Sequence, residues 1–273
     1  MVKNSNLSSS KIVFPKIMGV VNVTPDSFTD GGKYLTFDNA FQQSMKLIEE
    51  GADLIDIGGE STRPGAEEVS LEDELNRVVP VISAIRKANN EIRISVDTTK
   101  YEVALESIKA GADIINDISG LTFEPRLADL AAEYNKGLIL MHIQGKPRTM
   151  QHNPQYKDVV SEVYEFLNEK YNIAKSKGVN EIYVDVGIGF GKTLDHNLDL
   201  IKNIDKFKEI APVLLGISRK SMFKMMLGIE NVEERDLPTI LVHTLQLNKN
   251  VDIIRVHNVK QATIMKKIYE RIS

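Results

Sequence analysis

The sequence predicts a single closed (β/α)8 barrel, in which eight parallel strands alternate with helices. Eight short apolar runs rich in β-branched residues recur along the chain, and segments with apolar residues at helical spacing separate them. The length of 273 residues suits one such barrel. A doubly wound open sheet is the alternative. We find no linker or low-complexity stretch, and therefore expect a flexible tail at residues 1–15 and one barrel domain at residues 16–273.

The predicted strands and helices follow one another in regular order. The strands are residues 16–23, 53–59, 92–98, 113–119, 137–143, 181–187, 213–219 and 252–258. The helical patterns between them include residues 39–52, 71–88, 101–112, 125–134 and 159–178. Several of these patterns close with glycine, which a helix prefers just past its C-terminus.

The composition indicates an ordinary globular protein. The hydrophobic content of 42% supports a proper core, and the formal net charge of −4 argues against a chain that broadly coats nucleic acid or an anionic membrane. Cysteine is absent, which excludes disulfides and thiol nucleophiles and fits a reducing compartment. No run approaches the length of a membrane span. We expect a cytoplasmic protein without nucleic-acid or membrane partners.

Polar residues gather where the predicted strands end. The clusters, in chain order, are NVTPDSFTDGG, GGESTRPG, VDTTK, NDISG, MHIQG, DVGIGFGK, SRKS and RVHN. The carboxyl ends of barrel strands converge on one face, so these clusters would rim one mouth. That mouth is the expected active site.

Cationic side chains fall on one arc of this mouth. Arg63 follows strand two, Arg219 and Lys220 follow strand seven, and Arg255 and His257 lie on one face of strand eight. Burying such cations without a partner is costly, so either carboxylates neutralise them or they face an anionic ligand. We expect an anion, and guanidinium groups offer paired donors to phosphate oxygens.

The residues after strand one suit a metal that shares substrate phosphates. Asn22, with Asp26 and Asp30 close behind it, supplies the oxygen ligands that Mg²⁺ prefers. The expected cofactor is therefore Mg²⁺.

The opposite arc of the mouth suits a nitrogen heterocycle. Asp97, Asn116 and Asp185 end strands three, four and six, and carboxylates and amides pair with amidine-like edges. Met141 and Phe190 could pack against such a ring. The alternative reading is that Asp97 and Asp185 are buried partners of Lys220 or Arg255 in a structural network.

Other motifs carry less chemistry. The histidines His142, His152, His196 and His243 show no metal-ligand spacing, and we interpret them as ordinary helix or loop residues. Residues 187–193, GIGFGKT, lack the glycine spacing of a phosphate-binding P-loop and are interpreted as a flexible loop over the ligand. Covalent acyl chemistry is not expected, because no nucleophile elbow and no cysteine are present.

The motifs together resemble a known family. MGVVNVTPDSFTDGG, DIGGESTRPGA, SVDTTK, INDISG, MHIQGKPRTM, GFGK, SRKS and RVHNVK stand in the order and spacing of the dihydropteroate synthases, (β/α)8 enzymes of folate biosynthesis. The resemblance spans nearly everything after residue 15. It implies that 4-aminobenzoate displaces pyrophosphate from 6-hydroxymethyl-7,8-dihydropterin diphosphate to give 7,8-dihydropteroate, in an SN1-like reaction assisted by Mg²⁺.

The resemblance also implies roles for single residues. Those expected nearest the chemistry are Asp185, Lys220, Arg255 and His257. The pterin would be held by Asp97, Asn116, Asp185, Lys220, Met141 and Phe190, and the diphosphate by Asn22, Arg63, Arg255 and His257. The aminobenzoate site would comprise Phe28, Thr62, Pro64 and Ser221, and the metal would be bound by Asn22 and Asp30. The loops at residues 26–32 and 61–67 would close over the intermediate.

Some positions depart from the family pattern. The stretch Asp-Val-Gly-Ile-Gly-Phe-Gly-Lys at 185–192 replaces the usual Asp-Pro-Gly-Phe-Gly-Phe-Gly-Lys, and Asn258 stands where aspartate is usual. Residues 231–250 are bulkier than the helix that the family often shows, which leaves the geometry of the expected homodimer open. The ordinary Ser-Thr-Arg-Pro-Gly stretch implies inhibition by sulfonamides.

Three other functions compete with the synthase. A pterin-binding methyltransferase barrel would share the Asp and Asn contacts but would not need Arg63, Lys220, Arg255 and His257 together. A non-catalytic pterin-binding barrel would be suggested by loss of Asn22, Arg255 or His257, and all are present. A barrel that acts on a sugar phosphate fits the carboxylate arc poorly.

Overall fold

The computed structural model describes residues 13–24, 32–63 and 65–273, without the side chains of residues 32–35. Within these ranges the strands form one closed parallel barrel in the order β1 to β8. They are β1 (Lys16–Asn22), β2 (Leu54–Gly58), β3 (Arg93–Asp97), β4 (Ile114–Asp117), β5 (Gly137–Met141), β6 (Ile182–Asp185), β7 (Val213–Leu215) and β8 (Ile253–Val256). Because β1 pairs with both β2 and β8, the predicted barrel is confirmed and the open sheet is excluded.

Helices follow the strands on the outside of the barrel. They are α1 (Gly32–Glu49), α2 (Leu71–Ala88), α3 (Tyr101–Ala110), α4 (Arg126–Glu133), α5 (Val159–Ser176), α6 (Leu194–Lys202), α7 (Met222–Leu227), α8 (Asp236–Gln246) and α9 (Val259–Ile272). Short 3₁₀ turns lie at Ile204–Glu209, Glu233–Arg235 and Leu247–Lys249. No helix in the described ranges is long and apolar enough to cross a membrane.

Local sequence signals explain where several helices begin. Ser70 caps α2 by accepting a hydrogen bond from the Asp73 amide at 3.1 Å, and acidic residues fill the first turn of this helix. Asp158 caps α5 in the same way. At the start of α6, Thr193 and His196 form a reciprocal capping box. His196 is therefore the helix residue that the sequence predicted.

Strand periodicity explains which side chains reach the mouth. Met18, Leu54, Ile114, Ile139, Tyr183, Leu214 and Ile253 form one buried cluster inside the barrel. Successive side chains of a strand alternate in direction, so the residue two positions later points inwards one layer higher. On β2, β4, β6 and β8 that residue is Asp56, Asn116, Asp185 and Arg255. A polar layer therefore lies directly above an apolar plug.

The opposite end of the barrel is also filled. Arg93 donates two hydrogen bonds to the carboxylate of Glu181 at 2.6 and 2.8 Å, and the hydroxyl of Tyr183 donates a third at 2.7 Å. Side chains thus occupy the lower interior, as is usual for a barrel of this size. Space for a ligand is left at the mouth.

Candidate active site

The centre of the mouth is an ion-paired cluster around Arg255. Its Nε atom donates to Asp56 Oδ2 at 2.7 Å, and an Nη atom donates to Asp97 Oδ2 at 3.0 Å. The amide of Asn116 also donates to Asp56 Oδ2, at 3.1 Å. The long side chain of Arg255 therefore crosses the barrel to carboxylates inside the fold, and its contact with an external anion stays a prediction. For Asp97 and Arg255, the structural network weighed as an alternative is present.

Asp56 is the member of this cluster that sequence reasoning missed. Its side chain is fully buried, and within the described residues its Oδ1 atom has no hydrogen-bond partner. The available signal was the position of Asp56 in the middle of the apolar run DLIDIGG, because a carboxylate buried there requires a cationic partner.

The cluster shifts the ionisation of its members. Burial and the neighbouring carboxylate of Asp56 raise the pKa of Asp97 to about 7, although the charge of Arg255 opposes them. Burial and the charge of Arg255 lower the pKa of Lys220 to about 8, although the carboxylates of Asp185 and Asp97 oppose them. Burial also raises the pKa of Asp185, against the hydrogen bond from the Gly187 amide at 2.8 Å. The mouth therefore holds ionisable groups whose charges respond to whatever binds among them.

An apolar wall stands beside the polar layer. Phe190 and Met141 belong to one buried cluster with Ile118, Ile143 and Met150. The ammonium of Lys220 lies 4.1 Å from the centroid of the Phe190 ring, within the range of a cation–π contact. A flat ring could lie against this wall with its edge towards the carboxylates.

The loop at residues 187–193 is fixed in place, and our prediction of a flexible loop is wrong. The Gly189 amide donates to Asn197 Oδ1 at 2.8 Å, and its carbonyl accepts from the side chain of Gln151 at 2.6 Å. The hydroxyl of Tyr156 donates to the Gly191 carbonyl at 2.9 Å. Glycine permits this arrangement, since a Cβ on Gly187 would lie only 1.9 Å from the His142 carbonyl oxygen. The loop packs backbone against backbone.

A buried lysine joins this loop to the segment after β5. The Nζ atom of Lys192 lies within hydrogen-bonding distance of His142 Nδ1, the His142 carbonyl and the Phe190 carbonyl, at 2.9, 3.3 and 3.0 Å. An ammonium group has three donors, so these three acceptors match it. Burial lowers the pKa of Lys192 to about 7 and that of His142 to about 2. His142 is a loop residue, as expected, and its ring contacts a buried lysine there.

The remaining cations of the predicted arc differ in their partners. Arg219 makes two hydrogen bonds to Asp236 of α8, at 2.7 and 2.8 Å, so its charge is already paired. Arg63 is exposed on the loop after β2, and no ion pair with it is found in the described ranges. His257 is partly buried, and its ring lies 3.0 Å from the hydroxyl of Ser218.

A cavity of about 1000 Å³ reaches only one side of the mouth. Asn22, Arg219 and His257 line it, together with residues of α1. The carboxylates of the central cluster and Lys220 do not line this cavity. The structure thus separates an open cationic side, which includes Asn22, from a deeper polar cluster against Phe190.

The aminobenzoate and metal predictions are only partly within the described residues. Phe28, Asp30, Pro64 and Asp26 lie outside them. Thr62 is partly buried on the loop after β2, and Ser221 is exposed at the start of α7. Their place in an aminobenzoate site stays a prediction. Among the described residues, no group of three or more His, Cys, Asp or Glu side chains could hold a metal ion.

Comparisons with known proteins identify the family. The family model for pterin binding enzymes matches residues 18–257. The chain is 42% identical to the dihydropteroate synthase of Escherichia coli K12, over 96% of this chain and 93% of the relative. It is 41% identical to that of Synechocystis, over 94% and 89%. This chain belongs to the pterin-binding enzymes, as a member of the dihydropteroate synthases.

Solved structures of this family have the same fold. The Xanthomonas albilineans dihydropteroate synthase with 4-aminobenzoic acid superposes with a TM-score of 0.87 at 39% identity, covering 94% of this chain and 93% of that one. The Yersinia pestis enzyme in complex with a sulfonamide drug gives a TM-score of 0.87 at 41% identity, covering 94% of each chain. The sequence-based assignment to this family is confirmed.

The close packing of the 187–193 loop can be tested with Gly187→Ala. The substitution adds a clash with a backbone oxygen to the cost of a left-handed conformation, so we expect a loss of roughly 3 kcal/mol or more in the free energy of unfolding. Gly228→Ala is the matched control, because Gly228 is also left-handed but has open space around it, and about 1 kcal/mol should be lost there. Urea unfolding measures both, and equal losses would contradict the packing.

The raised pKa of Asp97 predicts a pH-dependent stability. Between about pH 4 and 7 the folded carboxyl keeps its proton while the unfolded one releases it, so the free energy of unfolding of the parent falls as the pH rises. Asp97→Asn lacks this proton exchange. Its stability relative to the parent should therefore rise by roughly 2–4 kcal/mol across that window.

Urea unfolding at a series of pH values measures this difference. Asp38→Asn, which makes the same substitution at an exposed position of α1, is the control for the exchange of carboxyl for amide. A difference for Asp97→Asn that does not change with pH would show that the pKa of this carboxyl is not raised.

Proposed function

We propose that this chain catalyses the condensation of 6-hydroxymethyl-7,8-dihydropterin diphosphate with 4-aminobenzoate to give 7,8-dihydropteroate and pyrophosphate. The observation that carries the proposal is one mouth that combines an apolar wall at Phe190, hydrogen-bonding groups at Asn116 and Asp185, and the cations Lys220 and Arg255. Membership of the dihydropteroate synthases supports it. A methyltransferase barrel would have no use for the cations.

The pterin would lie in the deep part of the mouth. Its flat ring would pack on Met141 and Phe190, and its amidine-like edge would donate to Asp185 while Asn116 both donates and accepts. Asp97 is held by Arg255 in the free protein, so a pterin that bonds to Asp97 would share it with this guanidinium. Lys220, above the Phe190 ring, would complete the enclosure.

The diphosphate would lie on the cationic side. In an SN1-like reaction the bond between the pterin methylene carbon and the diphosphate oxygen breaks first, and its electron pair stays on the departing oxygen. Lys220, Arg255, His257 and Arg63 would stabilise the developing negative charge, and the pterin would stabilise the cation. The aniline nitrogen of 4-aminobenzoate then forms the new bond and loses a proton. No strong general base is required.

Mg²⁺ would assist at the edge of the cavity. The described residues contain no complete metal cage, which fits an ion that binds through one or two protein oxygens together with substrate phosphates and water. Asn22 lines the cavity beside His257 and offers an amide oxygen, and we propose Asp30 as the second ligand. Bound there, Mg²⁺ would neutralise part of the diphosphate charge.

The 4-aminobenzoate site would be formed by the loops after β1, β2 and β7. We propose Thr62 and Ser221, with Phe28 and Pro64, as its lining. A sulfonamide, which mimics aminobenzoate, should compete for this site; the Yersinia pestis relative has been solved with such a drug.

We further propose that the protein is a homodimer. Its location in the cytoplasm stays a prediction. Leu237, Leu241 and Leu245 of α8 form an exposed stripe at helical spacing, as do Ile264, Ile268 and Ile272 of α9. The helices contact one another, with the Thr244 hydroxyl 3.1 Å from the sulfur of Met265. Exposed apolar surface of this extent is typical of an interface.

The proposed reaction is tested by turnover. The purified protein with Mg²⁺ and both substrates should form pyrophosphate and dihydropteroate in equal amounts, and a sulfonamide should inhibit competitively with 4-aminobenzoate. Lys220→Met should lower kcat/KM by roughly 10- to 100-fold, because one charge-assisted contact is lost. Lys224→Met, which removes an exposed lysine of α7, is the control and should keep parental turnover. No product from the parent would refute the proposal.

The proposed dimer is tested by placing a charge on the apolar stripe. Leu241→Glu would require a carboxylate to be buried in the interface, so we expect a monomer. Leu71→Glu, at an exposed leucine at the start of α2, should leave the assembly unchanged. Sedimentation equilibrium gives the mass of each, and a Leu241→Glu variant that sediments as the parent does would exclude this face.

A further inference from the structure

The hydroxyl of Ser218 contacts both the backbone amide and the imidazole ring of His257. Ser218 lies just beyond β7 and is only 7% exposed. Its Oγ atom accepts a hydrogen bond from the His257 amide at 3.1 Å and lies 3.0 Å from Nδ1 of the imidazole ring. One hydroxyl therefore joins the ends of β7 and β8 at the cationic side of the mouth.

The hydrogen-bonding capacity of the Ser218 hydroxyl favours one position for the hydrogen on the ring. The backbone amide can only donate, so it occupies one of the two lone pairs of the hydroxyl oxygen. The hydroxyl hydrogen needs an acceptor, and among the described residues Nδ1 of His257 is the one within reach, which favours a ring that accepts there. A neutral ring that accepts at Nδ1 carries its hydrogen on Nε2. A protonated ring carries hydrogen on both nitrogens, so Nε2 is a donor in either state.

The charges around the ring make this assignment consequential. Burial and the cations Arg255, Arg219 and Lys220 lower the pKa of His257 to about 3, although the carboxylate of Asp236 opposes them, so the ring is neutral at ordinary pH. A neutral ring has a single N–H donor. Nearby cations favour the tautomer in which the lone pair of a ring nitrogen points towards them. In that tautomer the lone pair would repel an incoming anion. The serine hydroxyl opposes that preference.

The free nitrogen of the ring is placed to meet a ligand. Within the described residues, Nε2 of His257 has no hydrogen-bond partner, whereas Nδ1 has Ser218. The ring lines the same cavity as Asn22. An anion that enters there would meet either a donor or a lone pair, according to the tautomer.

We propose that Ser218 is a positioning residue that holds His257 in its Nε2–H tautomer, so that the ring presents a donor to the diphosphate of the substrate and to the departing pyrophosphate. The inference rests on the proposed function for its ligand. Ser218 itself touches no reacting atom, and its effect passes through the imidazole ring.

The variants separate this role from simple packing. Ser218→Ala removes the hydroxyl, and Ser218→Thr restores one at the same atom position. Ser107→Ala is the matched control, because Ser107 is also a buried serine and its hydroxyl has no partner within the described residues, but it lies on α3 away from the mouth. Thermal unfolding confirms that each variant is folded before it is compared.

The tautomer is measured directly by long-range ¹H–¹⁵N correlation of the histidine rings. The chain has five histidines, and the spectrum of His257→Asn identifies the signals of His257. We expect a pure Nε2–H pattern in the parent, in Ser218→Thr and in Ser107→Ala, and a substantial Nδ1–H population in Ser218→Ala. A Ser218→Ala spectrum that keeps the parental pattern would overturn the proposal.

Affinity for inorganic pyrophosphate with Mg²⁺, measured by calorimetry, is the second readout. Ser218→Ala should bind about tenfold more weakly, as expected for the loss of one hydrogen bond to a charged group. Ser218→Thr and Ser107→Ala should stay within about twofold. In turnover, kcat/KM for the pterin diphosphate should fall about as much as pyrophosphate affinity, and the KM for 4-aminobenzoate should not change. Parental affinity in Ser218→Ala would overturn the proposal.

The two proposals fail in different ways. A parent protein that shows the single tautomer and binds pyrophosphate but forms no dihydropteroate would refute the synthase function and leave the role of Ser218 in anion binding supported. A parent that turns over normally while Ser218→Ala changes neither the tautomer nor the pyrophosphate affinity would refute the role of Ser218 alone.

Discussion

A partly buried guanidinium group inside the barrel mouth organises the surrounding site. Arg255 on β8 bonds to Asp56 on β2 and to Asp97 on β3, and Asn116 on β4 adds a bond to the same Asp56 oxygen. Asp56 is the nearest carboxylate to Arg255, at 2.6 Å, and removing one charged partner of such a pair costs about 3–5 kcal/mol where the pair is fully buried. The polar layer is therefore stable only as a set, and the apolar plug beneath it keeps these side chains at the level of the mouth.

The site combines a fixed floor with more exposed loops. Lys192 and the close approach of Gly187 to the segment after β5 hold Phe190 against its apolar neighbours. Thr62 and Arg63, by contrast, lie on the partly exposed loop after β2. On the proposed function, the ring of the first substrate meets a preformed surface, and the leaving group and second substrate meet the groups that can adjust. Such preorganisation suits a reaction that depends on stabilising charge.

The cationic side of the mouth depends on contacts outside it. Arg219 is held by Asp236 of α8, and the same carboxylate accepts from Asn258 at 2.9 Å. Asn258 uses both ends of its side chain, since its amide donates to Asp236 while its oxygen caps α9. An aspartate could cap the helix but could not donate to Asp236. The asparagine is thus explained by the hydrogen bond that it makes.

The sequence by itself determined the barrel and its eight strands, and it indicated that Asn116, Asp185 and Arg255 reach the mouth, because alternation along a strand is a local property. It also carried enough motif information to identify the family. Only the tertiary structure decided which charges pair: Asp56 and Asp97 lie 199 and 158 residues from Arg255, and no local pattern measures the reach of one side chain across a barrel. The glycine-rich sequence of the 187–193 loop likewise did not predict that the loop is held in place. The side chains that hold it, Gln151, Tyr156 and Asn197, come from other segments.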